Sequence, residues 1–232
     1  MDKNLWLFNY EQGLNYEKFS KCEDYKNQIL EYLNKNYDFS RKTILEIGAG
    51  SGKFTRFLAQ NCENLIVVEK SASLHEINQD KNKDLSNTCF YNCDIKDFLL
   101  PDKSIDFIFG GWSMTSMRDM YDILIPKFKR MLKDDGKIIL VENAGQDEFC
   151  KLMNIESFTE EMKDVYKDMG FEYKKELNTQ IVLPDKKVFY NAFPAYQDLS
   201  FNDLVIKHNV CILEAQKNKL KLYRKENGYE NC

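Results

Sequence analysis

Short apolar runs alternate with amphipathic stretches through the first two thirds of the chain. The run KTILEIG is aliphatic and β-branched and ends in glycine, which predicts a buried strand. Apolar positions then return at helical spacing in GKFTRFLAQ, and NLIVVEK predicts a second buried strand that ends at Glu69. The stretch from Glu46 to Gly52 is therefore predicted to be a strand-to-helix turn.

The alternation of strand and helix continues downstream. NTCFYNCDIKDF and SIDFIFGGWSM predict a third and a fourth strand, and KIILVEN, after the turn KDDG, predicts a fifth. Before that turn, apolar residues from Met117 to Leu132 form one helical stripe, and Pro126 is expected to kink or divide this helix. Five strands separated by helices predict a parallel α/β sheet that is covered on both faces.

Further helices and strands flank this alternating core. One or two amphipathic helices precede the first strand, and a helix of roughly 157–169 is expected to end at Gly170. FEYKKELNTQIVL and NVCILEAQK predict a sixth and a seventh strand. His75 is placed on the helix after Glu69 and His208 near the end of a late helix, both as surface or packing residues.

The length of 232 residues fits one α/β domain with a sizeable core. The predicted parts of this single domain over 1–232 are an N-terminal helical lid or flank at 1–40, a core at 41–145, a C-terminal half with strands six and seven at 146–216, and a tail at 217–232. The 37 acidic and 33 basic residues give a net charge of −4, and no basic block precedes the tail. This distribution argues against a broad nucleic-acid surface.

Nothing in the sequence predicts export or a membrane anchor. No stretch approaches about eighteen uninterrupted apolar residues, and the start MDKNLWLFNYEQG lacks the features of a signal peptide. The seven cysteines are an odd number, and Cys89 and Cys93 have the wrong spacing for a zinc site. We therefore expect a cytoplasmic protein with free thiols, no metal site and no membrane segment.

The glycine-rich turn GAGSGKF fits neither of two common phosphate-binding loops. A nucleotide-hydrolase loop needs a glycine and a hydroxyl where this chain has Ile47 and Phe54. The dinucleotide fingerprint needs its third glycine where Lys53 stands. The pattern present is instead an acid, Glu46, followed by glycine at every second position up to Gly52.

Four of the predicted strand ends carry glycines or polar side chains. Ligands of parallel sheets lie beyond the carboxyl ends of the strands, and a carboxylate at the end of the second strand accepts hydrogen bonds from a ribose diol. Glu69 occupies that place, and Asp94 and Gly110 to Trp112 follow the third and fourth strands. The sequence therefore predicts a ligand site along this edge.

The motifs at these strand ends resemble those of one enzyme family. ILEIGAGSGKFTRFLA, IVVEKS, NCDIKDF, IDFIFGGWSM and MLKDDGKIILVE, in this order and spacing, are similar to the successive motifs of the class I S-adenosylmethionine-dependent methyltransferases. The resemblance covers roughly residues 40 to 145 and is nearest to stand-alone bacterial enzymes with a GWS turn after the fourth strand. It implies a Rossmann-like doubly wound sheet, mostly parallel with an antiparallel seventh strand and helices on both faces.

The resemblance also implies that the cofactor is S-adenosyl-L-methionine, with S-adenosyl-L-homocysteine as product. The residues implied in cofactor binding are Tyr16 or Tyr10 in the lid, Glu46, Gly48, Ala49, Gly50 and Gly52 in the first turn, Glu69 and Lys70 after the second strand, Cys93, Asp94 and Ile95 after the third, and Gly110, Gly111 and Trp112 after the fourth. Three alternatives stay open at this point: Glu46 as a solvated strand-end acid, Asp94 as a helix N-cap, and Trp112 as a core aromatic residue.

Methyl transfer by in-line displacement needs mainly alignment, so a general base is optional. Glu142, at the end of the fifth strand, is the acid on that edge without a cofactor role, and it is either this base or a structural residue. The fourth-strand turn lacks both an Asn-Pro-Pro-Tyr type motif and a cysteine, which removes large classes of nucleic-acid substrates. We expect a small-molecule acceptor enclosed by the N-terminal segment and VFYNAFPAYQDLSF, no nucleic-acid or membrane partner, and a monomer or homodimer. The alternatives are a catalytically silent cofactor-binding partner or regulatory subunit, and a methyltransferase acting on protein or RNA.

Overall fold

The computed structural model describes residues 9–223 and contains a seven-stranded sheet within them. The strands are β1 (Thr43–Ile47), β2 (Asn64–Glu69), β3 (Thr88–Asn92), β4 (Ile105–Gly111), β5 (Leu132–Asn143), β6 (Glu172–Val182) and β7 (Val205–Gln216). The α-helices are α1 (Tyr10–Ser20), α2 (Gln28–Asn36), α3 (Thr55–Asn61), α4 (Ala72–Lys81), α5 (Tyr121–Met131), α6 (Glu148–Leu152), α7 (Glu156–Asp168) and α8 (Lys186–Ala192), and Met114–Met120 and Pro194–Tyr196 are 3₁₀ helices. Residues 1–8 of the predicted lid and 224–232 of the predicted tail lie outside the described residues.

The strands lie in the order β3-β2-β1-β4-β5-β7-β6. β1 pairs in parallel with β2 and β4, β2 with β3, and β4 with β5, whereas β7 runs antiparallel to both β5 and β6. The predicted Rossmann-like sheet with an antiparallel seventh strand is therefore confirmed. Because β1 to β5 point the same way, their carboxyl ends meet at one edge of the sheet.

The sheet is buried on both faces. Along β5, Ile138 and Leu140 pack with the helices α5 and α7, and Ile139 and Val141 pack on the opposite face with α2 and α3. All four side chains are fully buried, and burial of each stabilises the fold by about 1.5–3 kcal/mol. This explains why the strands read as continuous apolar runs instead of alternating patterns.

A third cluster, which we call the aromatic roof, lies above the carboxyl edge of the sheet. It contains Phe19 of α1, Phe149 of α6, Phe189 of α8 and Phe193, with a ring separation of 4.8 Å between Phe19 and Phe193. The two helices α1 and α8 thus come from opposite ends of the chain and meet over the strand ends. Both of the aromatic segments singled out in the sequence therefore contribute to this cluster.

Pro126 does not divide the helix that contains it. α5 runs without interruption through Pro126, and the break in the predicted helix falls earlier, where the 3₁₀ helix Met114–Met120 changes into α5. Proline removes one hydrogen bond, to the carbonyl four residues before it. That residue, Asp122, is exposed in the first turn, so water can satisfy its carbonyl.

Residues 133–136 form part of β5 and not a turn before it. Leu132 pairs with Ile105 and Lys137 with Phe107, so four residues of β5 bulge opposite Asp106. Lys133 reaches back from this bulge and binds the Asp106 carboxylate at 2.7 Å. The ion pair keeps the bulged segment against the sheet.

His208 is a strand residue and not part of a late helix. It lies in β7, where it pairs with Thr179 of β6, and it is 1% exposed. The sequence also did not indicate the short helices α6 and α8, each of which has seven residues or fewer. In contrast, α7 ends at Asp168, two residues before Gly170, close to the predicted position.

Candidate functional site

A cavity of about 310 Å³ opens at the carboxyl edge of the sheet. Of the residues predicted for the site, it is lined by Tyr16, Glu46, Gly48, Ala49, Gly50, Glu69, Lys70, Cys93, Asp94, Ile95, Gly111, Trp112 and Glu142. Gly52 and Gly110 do not line it. The structure therefore brings thirteen of the predicted residues, from five strand ends and α1, around one space.

Two glycines of the first turn, Gly48 and Gly52, lie too close to neighbouring side chains to be replaced by a larger residue. Gly48 has φ +59°, and a Cβ placed there would lie 2.6 Å from Cβ of Ser113. Gly52 has φ +87°, and its Cβ would lie 2.2 Å from the side chain of Asn78. A side chain at either position is excluded both by the backbone conformation and by the space. Gly52 thus packs the turn against α4 instead of facing the cavity.

Glu46 is a buried residue that organises the first turn. Its Oε2 accepts a hydrogen bond of 2.7 Å from the Thr55 hydroxyl, which in turn accepts one of 3.0 Å from Asn78. Burial raises the pKa of Glu46 to about 8, although the bond from Thr55 favours the charged form. Glu46 is therefore not a solvated acid: it joins β1, α3 and α4 directly beneath the glycines.

Glu69 joins the first and second turns. Its Oε2 accepts the Gly50 N–H at 2.8 Å and its Oε1 accepts the Ser71 N–H at 2.7 Å. Burial raises the pKa of Glu69, although both N–H bonds favour its charged form. A carboxylate has about four acceptor positions, and the Lys70 N–H is a third backbone donor, so acceptor capacity remains for a ligand hydroxyl.

Asp94 has two partners in the third turn. Its Oδ1 accepts the Lys96 N–H at 3.1 Å, and its Oδ2 lies 3.1 Å from the Lys70 ammonium. Burial alone would raise the pKa of Asp94, but these two contacts outweigh it and lower the pKa. Residues 95–97 form a turn and no helix begins at Ile95, so Asp94 is not a helix N-cap; its place is in the cavity wall.

Trp112 has a left-handed backbone conformation, with φ +50°. Its ring packs against Phe54 and stacks on His208, with ring centroids 5.8 Å apart in both cases. Burial, and secondarily the charge of Lys53, lower the pKa of His208 to about 3, so this ring is neutral. The Trp112 Nε1–H and the Ser113 hydroxyl are buried without a partner in residues 9–223. Because both residues line the cavity, these groups fit a ligand that carries hydrogen-bond acceptors.

Glu142 lies in a network of hydroxyl groups at the other end of the cavity. Its Oε2 accepts the Thr115 hydroxyl at 3.0 Å, and its Oε1 accepts the Tyr166 hydroxyl at 3.1 Å and the Thr115 N–H at 3.3 Å. Tyr121 donates to Tyr166 at 3.3 Å, and Cys211 of β7 pairs with Glu142 in the sheet. Burial raises the pKa of Glu142 to about 7 against the effect of these hydrogen bonds. A carboxyl group with this pKa exchanges protons near neutral pH.

Several residues of the cavity were missed by sequence reasoning. Thr115 and Tyr166 contact Glu142, and Asn143 lines the cavity while its Oδ1 lies 2.9 Å from Nε2 of His208. Tyr166 belongs to the apolar stripe of α7, so its pattern indicated only a core residue. Only Thr115 had a sequence signal that could have been used: it follows Trp112 by three positions, close to a turn that was already predicted to line the site.

The part of the cavity formed by α6 and α7 is mainly apolar, and we call it the acceptor chamber. It is lined by Phe149, Met153, Ile155, Phe158 and Met162. Tyr16 and Phe193 of the roof close it from above, and their rings meet edge to face at 6.3 Å. Tyr10, the alternative lid residue, is 44% exposed and does not line the cavity.

Two lysines fasten α1 to the glycine turn. Lys81 Nζ lies 2.6 Å from Glu17 of α1 and 2.8 Å from the Ser51 carbonyl. Lys53 Nζ donates to the carbonyl of Ser20, the last residue of α1, and to that of Glu23, three residues further on. Release of α1 from the turn therefore requires both lysines to exchange these partners for water.

Comparison with known proteins relates this site to methyltransferases. The methyltransferase domain family matches residues 45–140, the segment from β1 to β5. Over 122 residues the chain is 29% identical to phosphoethanolamine N-methyltransferase from Triticum aestivum, which covers 51% of this chain and 24% of that protein. The chain thus spans about a quarter of the length of this relative.

Two further similarities cover more of both chains. An uncharacterized methyltransferase from Anoxybacillus flavithermus is 25% identical over 170 residues, which is 71% of this chain and 79% of that protein. The YcgJ protein from Bacillus subtilis superposes with a TM-score of 0.60 at 15% identity, over 80% of this chain and 96% of that one, and so shows the fold.

No helix in residues 9–223 is long and apolar enough to cross a membrane. Within the same residues, no three His, Cys, Asp or Glu side chains are grouped closely enough to hold a metal ion.

Proposed function

We propose that the protein, whose residues 45–140 match the methyltransferase domain family, is a class I S-adenosylmethionine-dependent methyltransferase that transfers a methyl group by in-line displacement to a small-molecule acceptor. The observation that carries the proposal is a single cavity with two different ends. One end has the glycine turn and Glu69, and the other has Glu142 beside an apolar chamber. A cofactor held at the first end thus meets an acceptor held at the second.

The residues of the first end fit the cofactor of this family. The remaining acceptor capacity of the Glu69 carboxylate suits the ribose diol, and the backbone at Gly48 and Gly50 allows close approach of the methionine part. Asp94 and its neighbours Cys93 and Ile95 would meet the adenine, and the unpartnered Trp112 Nε1–H would donate to the ligand. When bound, S-adenosylmethionine supplies a methyl group that its sulfonium has already activated.

The protein's own contribution is alignment, exclusion of water and a place for one proton. The aromatic roof and α1 close the cavity above the strand ends. Alignment of two bound reactants lowers a barrier by about 7–11 kcal/mol in favourable cases. Glu142 would take the proton that an amine or hydroxyl acceptor releases, while Thr115 and Tyr166 hold the carboxylate in position. A silent cofactor-binding partner would retain the first end but make no use of the second.

Calorimetry and a product assay test this proposal separately. We expect binding of S-adenosylmethionine to be tighter than binding of NAD, because the turn lacks the third glycine of the dinucleotide fingerprint. We also expect S-adenosylhomocysteine to form when a mixed metabolite extract is added. Tighter binding of NAD would refute the cofactor assignment. Cofactor binding without product from any extract would favour the silent partner, and labelled methyl groups in RNA or protein would exclude a small-molecule acceptor.

A further inference from the structure

Every lysine that lines the cavity already has a carboxylate partner. The pairs are Lys53 with Glu23 at 3.7 Å, Lys70 with Asp94 at 3.1 Å, and Lys163 with Glu160 at 2.9 Å. Lys53 also donates to two backbone carbonyls. Arg118 is exposed, stacks over the ring of Phe158 and does not line the cavity. Among residues 9–223, no arginine, histidine or unpaired lysine therefore lines the cavity.

Carboxyl groups outnumber the cationic groups in the cavity wall. Five carboxyl groups line it, namely Glu23, Glu46, Glu69, Asp94 and Glu142, against the three lysines. Glu142 has no cationic partner: its hydrogen-bond donors are the hydroxyl and N–H of Thr115, the Tyr166 hydroxyl and the Met114 N–H. A buried carboxylate without a counter-ion attracts a cation and repels an anion. Because every lysine of the wall is already paired and Glu142 has no cationic partner, the wall offers no free cation to a phosphorylated or carboxylated acceptor.

The surface of the acceptor chamber defines the rest of the ligand. The chamber presents rings and thioethers, among them Phe149, Phe158, Met153 and Met162. Aromatic and methionine side chains bind apolar groups and the faces of cations, and methionine adapts to irregular shapes. Glu142 is a polar group in this region with a carboxylate that can bind an ammonium group directly.

We propose that the acceptor is an apolar amine without phosphate or carboxylate groups, whose nitrogen binds the carboxylate of Glu142. The inference rests on the proposed function. The ammonium gives one proton to Glu142, and the nitrogen lone pair then forms the new bond to the methyl carbon. The bond from carbon to sulfur breaks with its electron pair on sulfur, and the methylated product leaves as an ammonium ion. Glu142 returns its proton to water after release, so the step needs no further reactant.

This specificity differs from what the names of the relatives suggest. The wheat relative is named for phosphoethanolamine, a substrate that carries an anionic phosphate beside its amine. A phosphate group is ordinarily bound by arginine, lysine or a helix N-terminus. In this cavity each lysine would first have to release its carboxylate partner. Apolar amines and phosphorylated amines both carry the accepting nitrogen, and they differ in the anionic phosphate that only the second class carries.

A charge-fractionated metabolite extract tests the inference directly. The extract is divided into fractions retained by a cation exchanger, retained by an anion exchanger, and retained by neither, and each is incubated with the protein and labelled S-adenosylmethionine. We expect at least tenfold more label in the cation-exchanger fraction than in either of the others. Label mainly in another fraction overturns the inference but leaves the proposed function intact. No label in any fraction overturns both.

A binding measurement gives a second readout that does not depend on turnover. In the presence of S-adenosylhomocysteine, hexylamine is expected to raise the melting temperature of the protein more than hexyl phosphate does. The Glu142→Gln variant should lose this preference, and Glu161→Gln, an exposed change on α7, should keep it. Equal effects of the two ligands, or a preference for the phosphate, would refute the charge argument. A preference for the amine that survives in Glu142→Gln would refute the role of Glu142.

Discussion

Glu69→Gln separates the cofactor contact of this residue from its structural contacts. In the protein, Oε2 accepts the Gly50 N–H at 2.8 Å and Oε1 accepts the Ser71 N–H at 2.7 Å. The side chain is 8% exposed, so water replaces none of these contacts easily. Glutamine keeps the size of the side chain but has only one accepting oxygen. One backbone N–H and one ribose hydroxyl must therefore lose their acceptor.

The size of both effects follows from these contacts. A hydrogen bond to a charged group contributes about 1.5–3 kcal/mol, and about 1.4 kcal/mol corresponds to a factor of ten in affinity. We therefore expect S-adenosylmethionine to bind about ten- to a hundred-fold more weakly to Glu69→Gln. A buried N–H left without an acceptor costs about 1–3 kcal/mol, which should lower the free energy of unfolding by that amount.

Calorimetry with the cofactor and urea unfolding without it measure the two effects independently. Glu63→Gln is the matched control, because Glu63 is exposed just before β2 and does not line the cavity. It should leave both affinity and stability unchanged. If Glu69→Gln lowers the unfolding free energy but binds the cofactor as tightly as the control, Glu69 is a structural residue of the turn and the ribose assignment fails.

Three further predictions concern the other groups of the cavity. Since the pKa of Glu142 is about 7, the rate of methyl transfer should rise with pH through about 7. Glu142→Gln should lose this pH-dependent rise in rate while its cofactor affinity stays the same. If the rise is unchanged in the variant, Glu142 is not the proton acceptor. Burial raises the pKa of Glu46 from 4.5 to about 8, so the folded state holds this proton more tightly than the unfolded state does. The contribution of Glu46 to the free energy of unfolding is therefore complete below pH 4.5 and is lost as the pH rises through 8, a decrease of at most about 5 kcal/mol. Urea unfolding of Glu46→Gln at pH 5 to 9 should show a correspondingly flatter decline, and a parallel decline would contradict the shift. Cofactor should slow amide hydrogen exchange in residues 9–20, because α1 covers the cavity; protection in the glycine turn alone would make α1 a passive flank.

The strand and helix pattern of the core, and the residues at its strand ends, followed from the sequence alone. Periodicity reports which face of an element is buried, and this is a local property that the chain carries in every short window. Glu46, Glu69 and Asp94 could be placed at one edge because parallel strands end on the same side. The break before α5 and the bulge in β5 could not be predicted from the sequence. The bulge, for example, depends on the pairing of Lys133 with Asp106, which a local pattern does not contain.

The chemistry of the acceptor end was decided only by tertiary structure. Glu142, Thr115 and Tyr166 are separated by more than twenty residues along the chain, and each has a sequence context typical of an ordinary strand, turn or helix. The same holds for His208, whose neutral ring and contact with Trp112 result from its place inside the sheet. Hydrogen bonds, ion pairs and pKa values depend on which groups meet and how much water is excluded. Periodicity fixes the direction of a side chain, but packing between distant elements determines its partners.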